Sequence, residues 1–142
     1  MSELDASILA ERVAAVERHL RRVAEKLPGR PEELIAGTDA SDAVILHLWL
    51  AVQLVIDLAT AICVRLALGV PESYRDAFDR LAGAGHLDAG LAQRLARAAG
   101  FRNVVAHAYE GLDMARIHAA AKEGPQDLLA FLRIARDLVL SK

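Results

Sequence analysis

Arg102, Asn103, His107, Tyr109 and Glu110 form one compact polar group in the stretch FRNVVAHAYE. Their side-chain types fit phosphate chemistry. A guanidinium binds phosphate oxygens through two parallel N–H bonds, and an imidazole can move a proton near neutral pH. A ribonuclease that needs no metal can use the substrate's own 2′-hydroxyl as nucleophile, provided a base removes its proton and a cation stabilises the charged phosphorane. His107 suits the base or acid and Arg102 the cation, while Asn103 can hold a phosphate oxygen or the imidazole. One motif per chain gives one histidine, so a dimer would bring a second to serve as the complementary acid. Plainer roles stay open for each residue: a structural histidine at 107, an ion pair from Arg102 to Asp57, and a packing tyrosine at the helix end for Tyr109.

These residues must be carried by a helix. At about 100° per residue, Arg102 and Tyr109 share one face, and Asn103 and His107 share another about 100–140° round the axis. The helix is expected from about Ala89 to Gly111, with Asp88 as its cap. Upstream lie three more helices. The first spans about Ser2–Leu27, where Leu4, Ile8, Val13, Val16, Leu20, Val23 and Leu27 recur at helical spacing, and Pro28, Gly29 and Pro31 end it. The second, Ala43–Gly69, is apolar enough to raise a transmembrane reading, but His47, Gln53, Asp57, Thr60 and Arg65 interrupt it. A buried central helix capped by Asp39 or Ser41 is therefore expected, with no membrane partner. Gln53, Asp57 and Thr60 fall on one stripe of it, which should face something polar. Pro71 is expected to open the third helix, and Gly83 and Gly85 to close it. Asp113 should cap a short fifth helix, and Gly124 and Pro125 should break the chain before a last helix through Leu128, Leu129, Leu132, Ile134 and Leu138.

The chain of 142 residues, 54% hydrophobic with 4% aromatic and 25% charged side chains, reads as one all-α domain over residues 1–142, an antiparallel bundle of five to six helices. Phosphate-cradling glycine loops, paired Cys or His metal spacings and nucleophile elbows are missing, so neither a metal nor a cofactor is expected. Net charge is −2. RNA contact must then be local, from arginines such as Arg75, Arg94 and Arg97, because no global positive field exists. Cys63 is the single cysteine and should be a buried thiol. His19, His47, His86 and His118 carry no motif and are expected at the surface or in packing, and Trp49 in the core or at a dimer contact. The N-terminus lacks the basic start of a secretion signal, which points to the cytoplasm.

The order RNVVAHAY resembles the Arg-x4-His-x-Tyr motif of HepT-like proteins in the HEPN superfamily. Asp57 in the second helix, the VPESYRDAF opening of the third and Gly100 before the motif are also similar to that family, so the resemblance covers most of the chain. It implies an RNA-cleaving toxin working as a homodimer, with two motifs facing each other across the interface and Arg102 and His107 as the catalytic pair. It further implies an antitoxin partner, a minimal nucleotidyltransferase (MntA-like), that adenylylates Tyr109 and blocks the site. The rival expectations are a non-catalytic HEPN module that binds nucleotides or a protein, and a purely structural helical dimer. A neighbouring coding sequence for a small nucleotidyltransferase would favour the toxin.

Overall fold

The computed structural model describes residues 4–108 and 111–141, with the backbone alone for residues 106–108. Five α-helices run through it: α1 (Ala6–Lys26), α2 (Asp39–Arg65), α3 (Tyr74–Gly83), α4 (Ala89–Ala108) and α5 (Met114–Leu140), with one 3-10 turn at Pro31–Glu33. No strand occurs among the described residues.

Each start has a local cause. The carboxylate of Asp5 accepts the Ile8 amide at 2.9 Å to begin α1, and that of Asp88 accepts the Leu91 amide at 2.9 Å ahead of α4. Helix α2 is capped by Thr38, not by Asp39 or Ser41. Its hydroxyl accepts the Ser41 amide while the Ser41 hydroxyl accepts the Thr38 amide, both at 3.2 Å, so Ser41 sits at the third helical position of a reciprocal box. Helix α3 likewise begins later than Pro71 implies. Ser73 caps it by accepting the Asp76 amide at 3.0 Å, and Pro71 lies in the preceding loop. That loop is clamped by Arg80, whose guanidinium donates to the Leu68 carbonyl at 2.7 Å and to Asp76 at 2.9 Å. An amide bond from Glu72, and next the Arg80 bond, hold the Asp76 carboxyl below its usual range.

The expected break at Gly124 and Pro125 is absent. Asp113 caps α5 by accepting the Ala115 amide at 3.0 Å, and the helix then runs its full 27 residues with Pro125 inside it. Ala121 and Leu128, on either side of the proline, are both buried. Packing on both flanks holds helical geometry through a residue that lacks the amide for one helical bond.

Helix α2 is central, touching all four other helices. By length and composition it could cross a bilayer, yet Val44, Leu48, Val52, Val55, Leu58, Ala59 and Ile62 are buried within the bundle. Helix α1 covers it with Leu9, Val13, Val16, Leu20 and Val23. Phe78 of α3 meets Phe131 of α5 edge to face, with ring centroids 5.9 Å apart. Cys63 is buried and unpaired, with burial pushing its thiol pKa up. His118 is buried as well, its Nε2 lying 2.8 Å from the Pro28 carbonyl, so it ties α5 to the turn after α1.

Candidate active site

Helix α4 crosses α2 and α3 near its C-terminal end, and Arg102 sits at that crossing. Its half-buried guanidinium donates from Nη1 to the Gln53 side-chain oxygen at 2.8 Å. Gln53 passes the link on: its amide nitrogen donates to Asp57 Oδ1 at 3.0 Å, one turn along α2. Of the polar stripe of α2, Gln53 thus meets a polar partner from α4, and Asp57 bonds to Gln53 on its own helix. The direct Arg102–Asp57 ion pair open in the sequence is replaced by an arginine–amide–carboxylate relay. The i, i+4 spacing that put Gln53 and Asp57 on one stripe also permits a side-chain bond between them, and that bond was the step the sequence reading did not draw.

Tyr74, the first residue of α3, completes the setting. Its ring centroid lies 6.0 Å from Arg102 Cζ, at the outer reach of cation–π attraction. A side chain at position 100 would meet the Tyr74 hydroxyl at 3.8 Å, so Gly100 lies directly against the tyrosine. Sequence reasoning placed Tyr74 in a family landmark but gave it no contact with the site. Asn103 is exposed and touches Arg102 weakly, its oxygen 3.5 Å from Nη2.

The backbone of His107 lies in α4, five residues past Arg102 and about 140° round the axis. Its side chain lies outside the described residues, as do Tyr109 and Glu110. Of the arginines expected to serve RNA, Arg94 is engaged by Asp127 at 3.0 Å, whereas Arg75 and Arg97 are exposed. Among the described residues no group of three or more His, Cys, Asp or Glu side chains could hold a metal ion. The two helices that carry the relay also expose apolar side chains: Leu46 and Val64 of α2 are 52% and 49% exposed, and Val104 of α4 is 50% exposed. Trp49 is half-buried against the core.

One relative in sequence and two solved structures place this arrangement in context. The chain is 26% identical over 129 residues to an mRNA nuclease HepT from Shewanella oneidensis, a match covering 91% of this chain and 96% of that protein. It superposes on a chain from a crystal structure of a toxin–antitoxin with AMP-PNP at a TM-score of 0.81 and 25% identity, covering 90% of this chain and 96% of the other. A structure of a tri-AMPylated HEPN toxin from Shewanella oneidensis in complex with MNT antitoxin matches at a TM-score of 0.79 and 25% identity, covering 89% and 94%. These neighbours share the HEPN-type helical bundle. The family model for ribonuclease HepT-like proteins matches residues 16–135, from the middle of α1 to the last turns of α5, and the chain therefore belongs to the HepT-like ribonuclease family.

Proposed function

We propose that this chain is the toxin of a toxin–antitoxin pair, a metal-independent endoribonuclease acting in the cytoplasm as a homodimer, with residues 1–142 forming one HepT-like domain. The observation that carries the reading is the tethered Arg102, held by Gln53 at 2.8 Å five residues before His107 on the same helix, in a chain of this family.

In this mechanism His107 of one subunit takes the proton from the 2′-hydroxyl next to the scissile phosphate. The 2′-oxygen attacks phosphorus and the bond to the 5′-oxygen breaks. The second subunit's copy of the motif protonates the departing oxygen, leaving a 2′,3′-cyclic phosphate and a 5′-hydroxyl. Arg102 stabilises the charge on the phosphorane oxygens, where a preformed cation acts most strongly. Asn103 supports the phosphate from the exposed side of α4, and Asp57 fixes the relay behind Arg102. Dimerisation draws support from the half-exposed Leu46, Val64 and Val104 on the helices that carry the relay.

The partner in this reading is a minimal nucleotidyltransferase (MntA-like) antitoxin. The Tyr109 hydroxyl attacks the α-phosphate of ATP, pyrophosphate leaves, and the attached AMP puts a bulky anion beside the site that competes with RNA for Arg102. Support comes from the relative solved in tri-AMPylated form with MNT antitoxin. The test is incubation of purified protein with bulk tRNA and mRNA in EDTA: cleavage is expected. Cutting that requires added Mg²⁺ would overturn the metal-independent mechanism, and no cutting under either condition would leave a binding module as the reading.

A further inference from the structure

A neutral amide stands between the guanidinium of Arg102 and the carboxylate of Asp57. Gln53 accepts from Arg102 through Oε1 at 2.8 Å and donates to Asp57 through Nε2 at 3.0 Å. The amide has one favourable orientation here. Reversed, its NH₂ would point at a group that only donates and its carbonyl at one that only accepts. Asp57 therefore acts on Gln53 rather than on the cation, and its carboxylate locks which end of the amide meets Arg102.

A carboxylate in direct contact behaves otherwise. It takes the guanidinium in a two-bond fork, occupies the edge that a phosphate would use and offsets its charge. At the observed crossing that does not happen. The other contacts of Arg102 among the described residues are neutral too: the Tyr74 ring at 6.0 Å and Asn103 Oδ1 at 3.5 Å. Nη1 is tied down, while among the described residues no anion touches the guanidinium and its bonds to side-chain oxygens go to neutral amides.

We infer that Gln53 is a positioning residue and a charge spacer: it aims Arg102 at an RNA phosphate and keeps Asp57 from neutralising it. The inference rests on the ribonuclease reading of Arg102 for its biological meaning. It does not need turnover for its test.

The experiment uses the full chain and a non-cleavable 2′-O-methyl oligoribonucleotide, with affinity measured as a function of salt, beside cleavage of unmodified RNA. Gln53→Glu should weaken binding about tenfold or more, the scale of a charged hydrogen-bond partner lost to the ligand. It should also lower the salt slope by about one phosphate contact. The double variant Gln53→Glu/Asp57→Asn removes repulsion between the two carboxylates but leaves Arg102 neutralised, so it should stay weak. Gln53→Met keeps the volume and loses the bond. It should retain the salt slope and lower kcat more than it raises KM, because the cation remains but its aim is lost. Circular dichroism and melting temperature confirm that each variant is folded. Parental affinity and slope in Gln53→Glu, or their return in the double variant, overturn the spacer. A parent that binds the oligonucleotide in a Gln53-dependent way but cuts no RNA leaves the spacer standing and overturns the ribonuclease reading alone.

Discussion

The Nδ1 atoms of His19 on α1 and His47 on α2 face each other at 2.9 Å. With ring centroids 5.2 Å apart and planes tilted by 31°, the rings meet nearly nitrogen to nitrogen, so one must donate a proton to the lone pair of the other. Double protonation would set two N–H groups head to head across the α1–α2 contact. Burial foremost, then the charges of His47 and Arg18, lowers the pKa of His19 from 6.5. The folded protein therefore binds fewer protons than the unfolded chain just below that pH, and unfolding takes up protons. The contribution of this pair should be intact above pH 6.5 and lost as the pH falls through the depressed folded-state pKa. Melting temperatures followed from about pH 7.5 to about pH 5 should fall, spanning the ordinary histidine range. His19→Gln keeps a hydrogen-bonding group and should flatten that fall. An equally steep acid decline in the variant would remove the pair from the explanation.

Arg102→Ala and His107→Ala should each reduce RNA cleavage by about 100-fold or more while leaving the helical content unchanged, as expected for groups acting in the transition state. Tyr109→Phe should separate the two activities: it keeps the ring and removes the hydroxyl, so cleavage persists and inhibition by the nucleotidyltransferase with ATP is lost. Gel-based cleavage assays with and without that enzyme read both effects. A His107→Ala protein that cuts RNA as fast as the parent would end the proposed mechanism.

Gly69 has φ +92, and a Cβ there would lie 2.6 Å from Nη1 of Arg80. The same Arg80 nitrogen donates to the Leu68 carbonyl, so it cannot withdraw without giving up the clamp on the α2–α3 loop. Gly69→Ala should destabilise the fold by about 1–3 kcal/mol, the cost of a left-handed backbone at a non-glycine residue. Gly29, where an added Cβ meets nothing within 4 Å and no positive φ is required, is the control. Urea midpoints for the two variants should differ clearly. Equal midpoints would mean the loop readjusts at no cost.

Pro125 lies within α5, where its nitrogen cannot donate to the carbonyl of Ala121. Replacing it with alanine should restore that bond and stabilise the protein by about 1–2 kcal/mol. This is less than the full penalty of about 3 kcal/mol for an interior proline, because the flexibility gained by the unfolded chain opposes it. Thermal unfolding of Pro125→Ala at neutral pH checks the direction. A lower melting temperature would show that the ring's place in the cavity it lines with the α1 end and His118 outweighs the missing bond.

Features that depend on neighbours along the chain were legible before any tertiary structure. The first four helices, the caps at Asp88 and Asp113, buried Cys63 and the placing of Arg102 and His107 on α4 all follow from helical spacing, short side-chain-to-amide bonds or motif order. The turn before α2 was misread at the same level, because Thr38, Asp39 and Ser41 can all cap and only the observed backbone selects Thr38. Two further outcomes depend on contacts between residues far apart in sequence. Pro125 carries a strong local signal to stop a helix, but burial of Ala121 and Leu128 on its two sides outweighs it. The order arginine, glutamine, carboxylate is set by the depth and angle at which α4 crosses α2. Arg102 and Gln53 are 49 positions apart, and no periodicity within one helix states which of two polar residues on a neighbouring helix an incoming guanidinium will meet. The sequence determined which side chains could do chemistry and which helix carries them; the tertiary crossing decided that Arg102 meets a neutral amide before it meets a charge.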